Sequence, residues 1–286
     1  MTAALAAPGL LSVRLASRIY GEDSVPLDDP AEHYHEASKL YPSFAARTTR
    51  AHELEHDLQL QASCMRAVRR DARLDVVPLP EPDLGDVPFA RLVANRRSQR
   101  SFGPAALPLA QLAGILHAAY GRTHQLLEDA EAGVGPQFRS VPSGGALYPL
   151  ELFAFARRVD GLEAGCYHFD PLRRVLEIVR VGDSTPELAE ATVYREPTTA
   201  CAVFLAVTAT FWRTRFKYGL RGYRFALLEA GHAVQNALLA ATSLGLAAVP
   251  LAGFYDSRMD ALLGLDGVEE STVYAVAIGA EPAGVR

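Results

Sequence analysis

Cysteine is scarce in this sequence, with three residues among 286, and its scarcity excludes two kinds of stabilising chemistry. Cys64, Cys166 and Cys201 form no C-x-x-C pair, so they can supply neither a disulfide framework nor a thiolate zinc site. The apolar N-terminal residues have no basic residue before them, so no secretory signal is expected. We therefore expect a cytoplasmic protein.

Lysine is scarcer still. Lys39 and Lys217 are the only two among 28 basic residues, and the other 26 are arginine. Such a skew is typical of GC-rich coding, so a single arginine carries little information, whereas each remaining lysine is a candidate for a specific role. The net charge of −5 argues against a general nucleic-acid binder, whose binding domain would be basic.

Charged residues are absent from Ala230 to Tyr255, a stretch long enough to suggest a membrane span. The stretch contains His232, Gln235 and Asn236, however, and it is broken at Gly245 and Pro250. A buried helix that leads into a core strand is therefore predicted, and we expect no membrane association.

The rest of the composition is that of a globular protein, with 49 % hydrophobic and 21 % charged residues. Residues 32–73 have helical spacing, and the four prolines between Val76 and Pro88 predict an extended connector. We expect an N-terminal, mainly helical extension with its connector (residues 1–84) and a catalytic domain (residues 85–286). Strands grouped with long helices, without regular βαβ alternation, predict an α+β fold. The predicted helices are 109–120 and 224–244; the predicted strands are 150–156, 175–181, 201–210 and 272–278, with a meander through 167–171; residues 122–142 are predicted to be a loop.

Two segments could contact a phosphorylated ligand. In the first, Arg96-Arg97-Ser98-Gln99-Arg100-Ser101-Phe102, guanidinium and hydroxyl groups suit a phosphate, although a solvated basic turn would have the same composition. In the second, Val141-Pro-Ser-Gly-Gly-Ala-Leu-Tyr-Pro149, two glycines would let the backbone approach a flat ligand, although an ordinary loop is the alternative.

Lys217 and Tyr218 stand side by side within Phe211–Arg224, directly after the predicted strand 201–210. A general base that works near neutral pH needs a Lys or Tyr with a lowered pKa, and neighbouring cations lower it. An anion clamp and a surface turn are the alternatives. A further segment, Val249-Pro-Leu-Ala-Gly-Phe254, reads as a strand-like core segment with a glycine kink.

His52-Glu-Leu-Glu-His56 matches the H-E-x-x-H pattern of zinc proteases. Its helix would be charged on all sides, and no histidine follows until His117, so a solvated helix is the favoured interpretation and no metal site is predicted. A zinc hydrolase remains an alternative hypothesis.

Taken in order, five segments resemble the SagB-type dehydrogenases (azoline oxidases) of the FMN-dependent nitroreductase superfamily. They span about residues 90–280 and are Arg96–Phe102, Pro142–Leu150, Lys217–Arg224, Leu228–Asn236 and Pro250–Phe254. The resemblance implies a nitroreductase-like fold, with a mostly antiparallel central sheet flanked by helices, in an interlocked homodimer that binds FMN at its interface.

The resemblance also implies roles for single residues. Arg96, Ser98 and Arg100, with Arg97 less closely matched, correspond to the segment that holds the FMN phosphate and one edge of the ring. Ser143, Gly144 and Gly145 correspond to a loop that touches the flavin, and Pro250, Leu251, Ala252 and Gly253 to the segment on its other side. Lys217 and Tyr218 correspond to the proposed catalytic base. Arg286 matches a C-terminal phosphate ligand only loosely.

The implied reaction is oxidation of thiazoline or oxazoline rings to thiazoles or oxazoles in a ribosomally made peptide. A base takes a ring proton, a hydride leaves to the flavin, and oxygen reoxidises the cofactor. The implied partners are the azoline-containing precursor peptide and a cyclodehydratase. The alternatives are a general nitroreductase or quinone reductase on small molecules, and a non-catalytic flavin-fold subunit that docks peptides.

Overall fold

The computed structural model describes residues 30–40, 74–125 and 137–284 of the chain. The chain divides into two units, residues 1–48 and 49–286. In the first unit the structure describes helix α1 (Pro30–Ala37), followed by Ser38, whose hydroxyl donates to the Tyr34 carbonyl at 2.5 Å. The predicted helix is confirmed there. Residues 41–73, with Cys64 and the zinc-type motif, lie outside the described residues.

The second unit is built on a seven-stranded sheet whose strands follow the order β1-β8-β7-β5-β9-β11-β10 and pair antiparallel throughout. Two small sheets, β2 with β6 and β3 with β4, lie outside it. The strands are β1 (Val76–Pro78), β2 (Leu107–Pro108), β3 (Arg122–Gln125), β4 (Gln137–Arg139), β5 (Leu150–Ala156), β6 (Val159–Asp160), β7 (Gly165–Asp170), β8 (Val175–Val181), β9 (Val203–Thr210), β10 (Leu246–Leu251) and β11 (Glu270–Ala280).

Helices cover both faces of the sheet, so the central strands are apolar on both sides. Along β5, Leu152 and Ala154 contribute to one core cluster, while Phe153 and Phe155 contribute to the other, as the two-residue period of a strand requires. Helices α3 and α7 pack on the first cluster, and helices α4 and α8 on the second. The helices of the second unit are α2 (Phe89–Asn95), α3 (Leu109–Tyr120), α4 (Thr185–Ala191), α5 (Arg195–Ala200), α6 (Trp212–Tyr218), α7 (Leu220–Ser243) and α8 (Asp256–Leu263).

The α+β prediction is confirmed, and so are the predicted helices and strands of this unit, with ends shifted by up to four residues. One prediction is wrong: residues 122–142 were expected to form a loop, but β3 and β4 pair there as antiparallel strands. The two strands are short and polar, with no apolar alternation, so hydrophobic patterning could not reveal them. The Pro-rich connector is extended, and its first residues add edge strand β1 to the sheet.

The long stretch without charges folds as the sequence predicts. It forms most of helix α7, whose buried side packs on the core, and then core strand β10. Within the described ranges, no helix combines the length and the apolar character that crossing a membrane would require.

Candidate functional site

Lys217 and Tyr218 lie at the C-terminal end of helix α6, which begins two residues after core strand β9 ends. Gly219 follows with φ +56° and lets the chain turn at once into helix α7. The Lys217 ammonium nitrogen lies 5.6 Å from the centre of the Tyr218 ring, which packs edge-on against Phe225 of α7 at 4.9 Å. The short helix therefore places Lys217 beside the Tyr218 ring, and Phe225 supports that ring.

The loop Ser143–Tyr148 has a strained backbone. Gly145 has φ +65°, and two residues with side chains, Ala146 and Tyr148, have φ +53° and +45°. For a residue other than glycine, such a conformation costs about 1–3 kcal/mol and persists only where surrounding contacts enforce it. This loop is therefore held in place by the rest of the domain, and such loops are typical of binding sites.

The loop and the Lys-Tyr pair meet at Gly145. A Cβ atom at this position would lie 2.6 Å from the Tyr218 hydroxyl oxygen and 3.3 Å from Lys217 Nζ. A Cβ at Gly144 would lie 3.0 Å from the Phe225 ring. The left-handed backbone and the close approach of both side chains favour glycine at position 145. Two segments separated by more than 60 residues in the sequence thus form one site, in which an amine and a phenol lie beside the backbone of Gly145.

Arg213 connects the elements that form this site. Its guanidinium is buried, lies 2.6 Å from the Glu151 carboxylate on β5 and donates to the Tyr148 carbonyl at 3.4 Å. One side chain therefore links the start of α6 to both the strained loop and the strand that follows it. Burial would raise the pKa of Glu151, but Arg213 and the hydrogen bond from His168 lower it to about 2.

A buried row of charges continues from Glu151 across the sheet. His168 on β7 lies between two carboxylates, with Nε2 2.9 Å from Glu151 and Nδ1 2.9 Å from Glu177 on β8. Since both ring nitrogens face acceptors, both must donate, so the imidazole is protonated. Burial lowers the pKa of His168, but the bonds to both glutamates outweigh burial and raise it.

This row predicts a pH dependence of stability. A histidine whose folded pKa is raised stabilises the fold fully below its unfolded pKa of about 6.5 and loses that contribution as the pH rises through the folded pKa. Urea unfolding between pH 6 and 9 should therefore show the unfolding free energy falling with pH, and falling less in His168→Gln. Equal slopes in the two proteins would show that His168 is not the titrating group.

The other two predicted segments lie along strand β10: residues 96–100 run beside it, and Pro250 and Leu251 belong to it. The Gln99 amide donates to the Ala248 carbonyl at 2.9 Å, so residues 96–100 run beside strand β10, which leads to Pro250–Gly253. Arg97 donates to the Ala94 and Arg96 carbonyls at the end of α2, whereas Arg96 and Arg100 form no ion pair with a described residue. Gly253 packs against the Tyr194 ring.

The four predicted segments thus form two pairs. The first pair joins residues 143–145 to Lys217 and Tyr218, and in the second pair residues 96–100 run beside strand β10 at Ala248, two residues before Pro250. Strand β11 lies between β9, which leads to the first pair, and β10, which leads to the second. Arg286 lies outside the described residues.

Two buried carboxyl groups near the site, Glu151 and Glu229, have no role assigned from the sequence, and each lies within or beside an apolar run. Glu151 is the one charged residue in Leu-Glu-Leu-Phe-Ala-Phe-Ala, and Glu229 directly precedes the charge-free stretch. A charged residue is almost never buried unless it is paired, so these positions could have been flagged as candidates for buried pairs.

The sheet is antiparallel and covered by helices on both faces, and polar side chains gather where its strands end. This arrangement defines an α+β protein with a candidate site. The chain belongs to the nitroreductase family, whose model matches residues 93–280. A Methanocaldococcus jannaschii protein named as a nitroreductase, MJ1384, is 37 % identical over 191 residues, which cover 66 % of this chain and 90 % of that protein.

A further sequence comparison supports the resemblance to the SagB-type branch, and a further structural comparison shows the fold. The Microcin B17-processing protein McbC of Escherichia coli is 35 % identical over 133 residues, covering 45 % of this chain and 49 % of McbC. The E. coli microcin synthetase McbBCD complex with truncated pro-MccB17 bound contains a chain of the same fold, with a TM-score of 0.54 and 22 % identity, covering 95 % of this chain and 97 % of that chain. The predicted nitroreductase-like fold is confirmed.

Proposed function

We propose that this protein is an FMN-dependent dehydrogenase that oxidises thiazoline or oxazoline rings to thiazoles or oxazoles in a ribosomally made, post-translationally modified peptide. The observation that carries the proposal is the convergence of Lys217 Nζ and the Tyr218 hydroxyl on bare backbone at Gly145. A pair of groups that can transfer a proton, both half-buried, suits a reaction that removes a proton from its substrate. The similarity to a microcin-processing protein supports the peptide substrate.

The Lys-Tyr pair would handle the proton of the reaction. Aromatisation of an azoline removes one ring proton and one hydride. Lys217 would take the proton at Nζ, and the Tyr218 hydroxyl beside it would orient the amino group or relay the proton. The FMN, when bound, would accept the hydride. Arginine could not replace Lys217 in this role, because a guanidinium does not lose its proton near neutral pH.

The remaining predicted residues fit a flavin nucleotide in their chemistry. Members of the nitroreductase family typically bind flavin. The guanidinium groups of Arg96 and Arg100 could bind a phosphate, with Ser98 as a further donor. The Arg97 guanidinium already donates to the Ala94 and Arg96 carbonyls and would contribute less. Gly144 and Gly145 would let the backbone approach the ring on one side, and Pro250–Gly253 would line the other.

A homodimer would unite the two pairs of segments if each flavin takes one pair from each subunit. Helix α2 supports this proposal, because it buries none of its side chains and exposes Phe89 and Val93. The neighbouring helix α7 exposes Leu220, Leu227 and Leu228. Exposed apolar side chains gathered on adjacent helices are typical of subunit interfaces.

The partners we propose are an azoline-containing precursor peptide and the cyclodehydratase that makes its rings. The McbBCD complex, which holds truncated pro-MccB17, supports an assembly of this kind. The alignment spans about half the length of McbC, so the shared activity and partners are our proposal for this chain. Residues 1–84 would serve as an interaction module, with the boundary at residue 84 as predicted from the sequence.

A general nitroreductase is the second candidate, and the similarity to MJ1384 favours it. One experiment separates the two: the purified protein is incubated in parallel with an azoline-containing peptide in air and with a nitroarene plus NADPH. We expect bound FMN and loss of two hydrogens per azoline ring, with slow nitroarene reduction. Rapid nitroarene reduction without any action on azolines would establish the second candidate, and a colourless protein would overturn both.

A further inference from the structure

The segment Leu228–Asn236 is part of the family resemblance, yet no role in the proposed reaction accounts for it. Its two inward polar side chains, Glu229 and Asn236, are seven residues apart on helix α7 and therefore share one face. Glu229 is 2 % exposed, and it lies in a helix face that otherwise buries alanine and valine. A carboxyl group in such a place requires a specific partner or a specific purpose.

Both side chains connect helix α3 to the segment that leads into the strained loop. The Glu229 carboxyl accepts hydrogen bonds from Ser143 and from Tyr120, the latter at 2.5 Å. Asn236 donates to the Ala118 carbonyl at 3.0 Å and to the Ser140 carbonyl at 3.3 Å. The two residues thus hold the chain at its entry to the loop and at the first residue of the loop.

The loop is held at its far end through the same network. The Tyr148 amide donates to Ser143 Oγ at 2.9 Å, so the Ser143 hydroxyl accepts from Tyr148 and gives its own hydrogen to Glu229. The Tyr148 hydroxyl accepts from the Arg139 amide at 3.0 Å, and the Tyr120 hydroxyl accepts from the Leu150 amide at 3.1 Å. Together with the Arg213 bond to the Tyr148 carbonyl, these bonds hold the loop at both ends.

The charge state of Glu229 matters to this network. Burial raises the pKa of Glu229 to about 7, against the lowering effect of its bonds to Ser143 and Tyr120 and of the Arg139 charge. Its second oxygen, Oε2, is buried and has no hydrogen-bond partner among the residues that the structure describes. The titratable groups that face Glu229 are Tyr120 from α3, Arg139 from β4 and Tyr148 from the loop; the Arg139 guanidinium lies between the two tyrosine rings.

We propose that Glu229 is a positioning residue for the flavin: through Ser143 and Tyr120 it holds the loop Ser143–Tyr148 in the strained conformation that presents Gly144 and Gly145 to the cofactor. The inference rests on the proposed flavin-dependent function. Glu229 touches neither Lys217 nor Tyr218 in the described contacts, and it acts through the loop alone. Ionisation would strengthen the two bonds that Glu229 accepts, but burial disfavours the charge and Oε2 has no donor among the described residues, so the loop is less stable around the charged form.

The test is the dissociation constant of FMN, measured by flavin fluorescence at pH 6 for wild type, Glu229→Gln and Glu229→Ala. Glutamine keeps an acceptor oxygen, so its affinity should stay within about two-fold of wild type; alanine removes both bonds and should weaken FMN about 10-fold, at roughly 1 kcal/mol or less per hydrogen bond. Gln235→Ala, on the exposed side of the same helix, is the matched control and should change nothing. If Glu229→Ala does not fold, Tyr120→Phe removes the bond to Glu229 and the bond from the Leu150 amide at almost constant volume, and it should weaken FMN by a few-fold.

The pH profile separates positioning from plain structural support. Wild type should lose FMN affinity relative to Glu229→Gln as the pH rises from 6 to 8.5, because only the glutamate becomes charged, whereas the FMN phosphate titrates equally in both. Parallel profiles together with unchanged affinity in Glu229→Ala and Tyr120→Phe would overturn the inference and leave the proposed function intact. Failure of wild type to bind FMN at any pH would overturn the proposed function and this inference with it.

Discussion

Replacing Lys217 with alanine is expected to lower azoline oxidation by a factor of about 10²–10⁴, the usual contribution of a positioned general base, while FMN stays bound. The expectation follows from the position of Nζ beside Gly145 and the Tyr218 hydroxyl. The measurement is the rate of azole formation at saturating peptide, together with the flavin absorbance of the purified variant. Lys217→Arg should be equally inactive, because a guanidinium keeps the charge but cannot accept a proton.

The chain offers a matched control in its one other lysine. Lys39 forms an ion pair with Glu36 at 2.5 Å in helix α1 and its flank, in the first unit of the chain. Lys39→Ala should retain the wild-type rate per bound flavin on a substrate that carries only the azoline ring. If Lys217→Ala retained full turnover with FMN bound, the assignment of the base would be wrong.

Replacing Arg213 with leucine is expected to cost about 3–5 kcal/mol of unfolding free energy, because it leaves the buried Glu151 carboxylate without its strongest partner. The effect should exceed that of any exposed arginine, since the pair lies 2.6 Å apart with both side chains almost fully buried. Urea unfolding measures it. Folded Arg213→Leu protein should also turn over slowly, because helix α6 and the Tyr148 carbonyl lose their common anchor.

Arg215→Leu is the control for that variant, since Arg215 lies on the exposed side of the same helix. A surface substitution of this kind usually changes stability by less than about 0.5 kcal/mol. Similar unfolding free energies for the two variants would contradict the anchoring role of Arg213. The comparison keeps helix length, charge change and side-chain type constant, so it tests the burial of Arg213 together with its bonds to Glu151 and Tyr148.

Most of the sheet could be predicted from the sequence because its central strands are long and apolar. The segments Leu150–Ala156 and Val203–Thr210 are buried throughout and have no competing helical period. The hairpin of β3 and β4 and the short helices α4 and α5 could not be predicted, because they have few residues and no strong apolar pattern. Their conformation depends on tertiary contacts, such as the Ser140 amide bonding to the Gly121 carbonyl.

The motifs of the candidate site could also be found from the sequence, but their arrangement could not. Spacing alone gave no reason for Gly145 to meet Lys217, and the meeting depends on the short helix α6, which the sequence analysis did not predict. The sequence also could not show that Arg213 is buried and paired with Glu151 while Arg215 is exposed. In a chain with 26 arginines, composition hides which of them is paired, and only the fold separates them.

We propose that this protein transfers a hydride from an azoline ring to its own flavin, with Lys217 as the base. The most direct test is to mix the purified FMN-loaded protein with an azoline-containing peptide in the absence of oxygen and to follow the flavin absorbance and the azole product together. We predict that the flavin bleaches as azole forms, in equal amounts, and that both changes are slower by a factor of about 10²–10⁴ in Lys217→Ala. Bleaching by NADPH but not by the azoline peptide would contradict the claim.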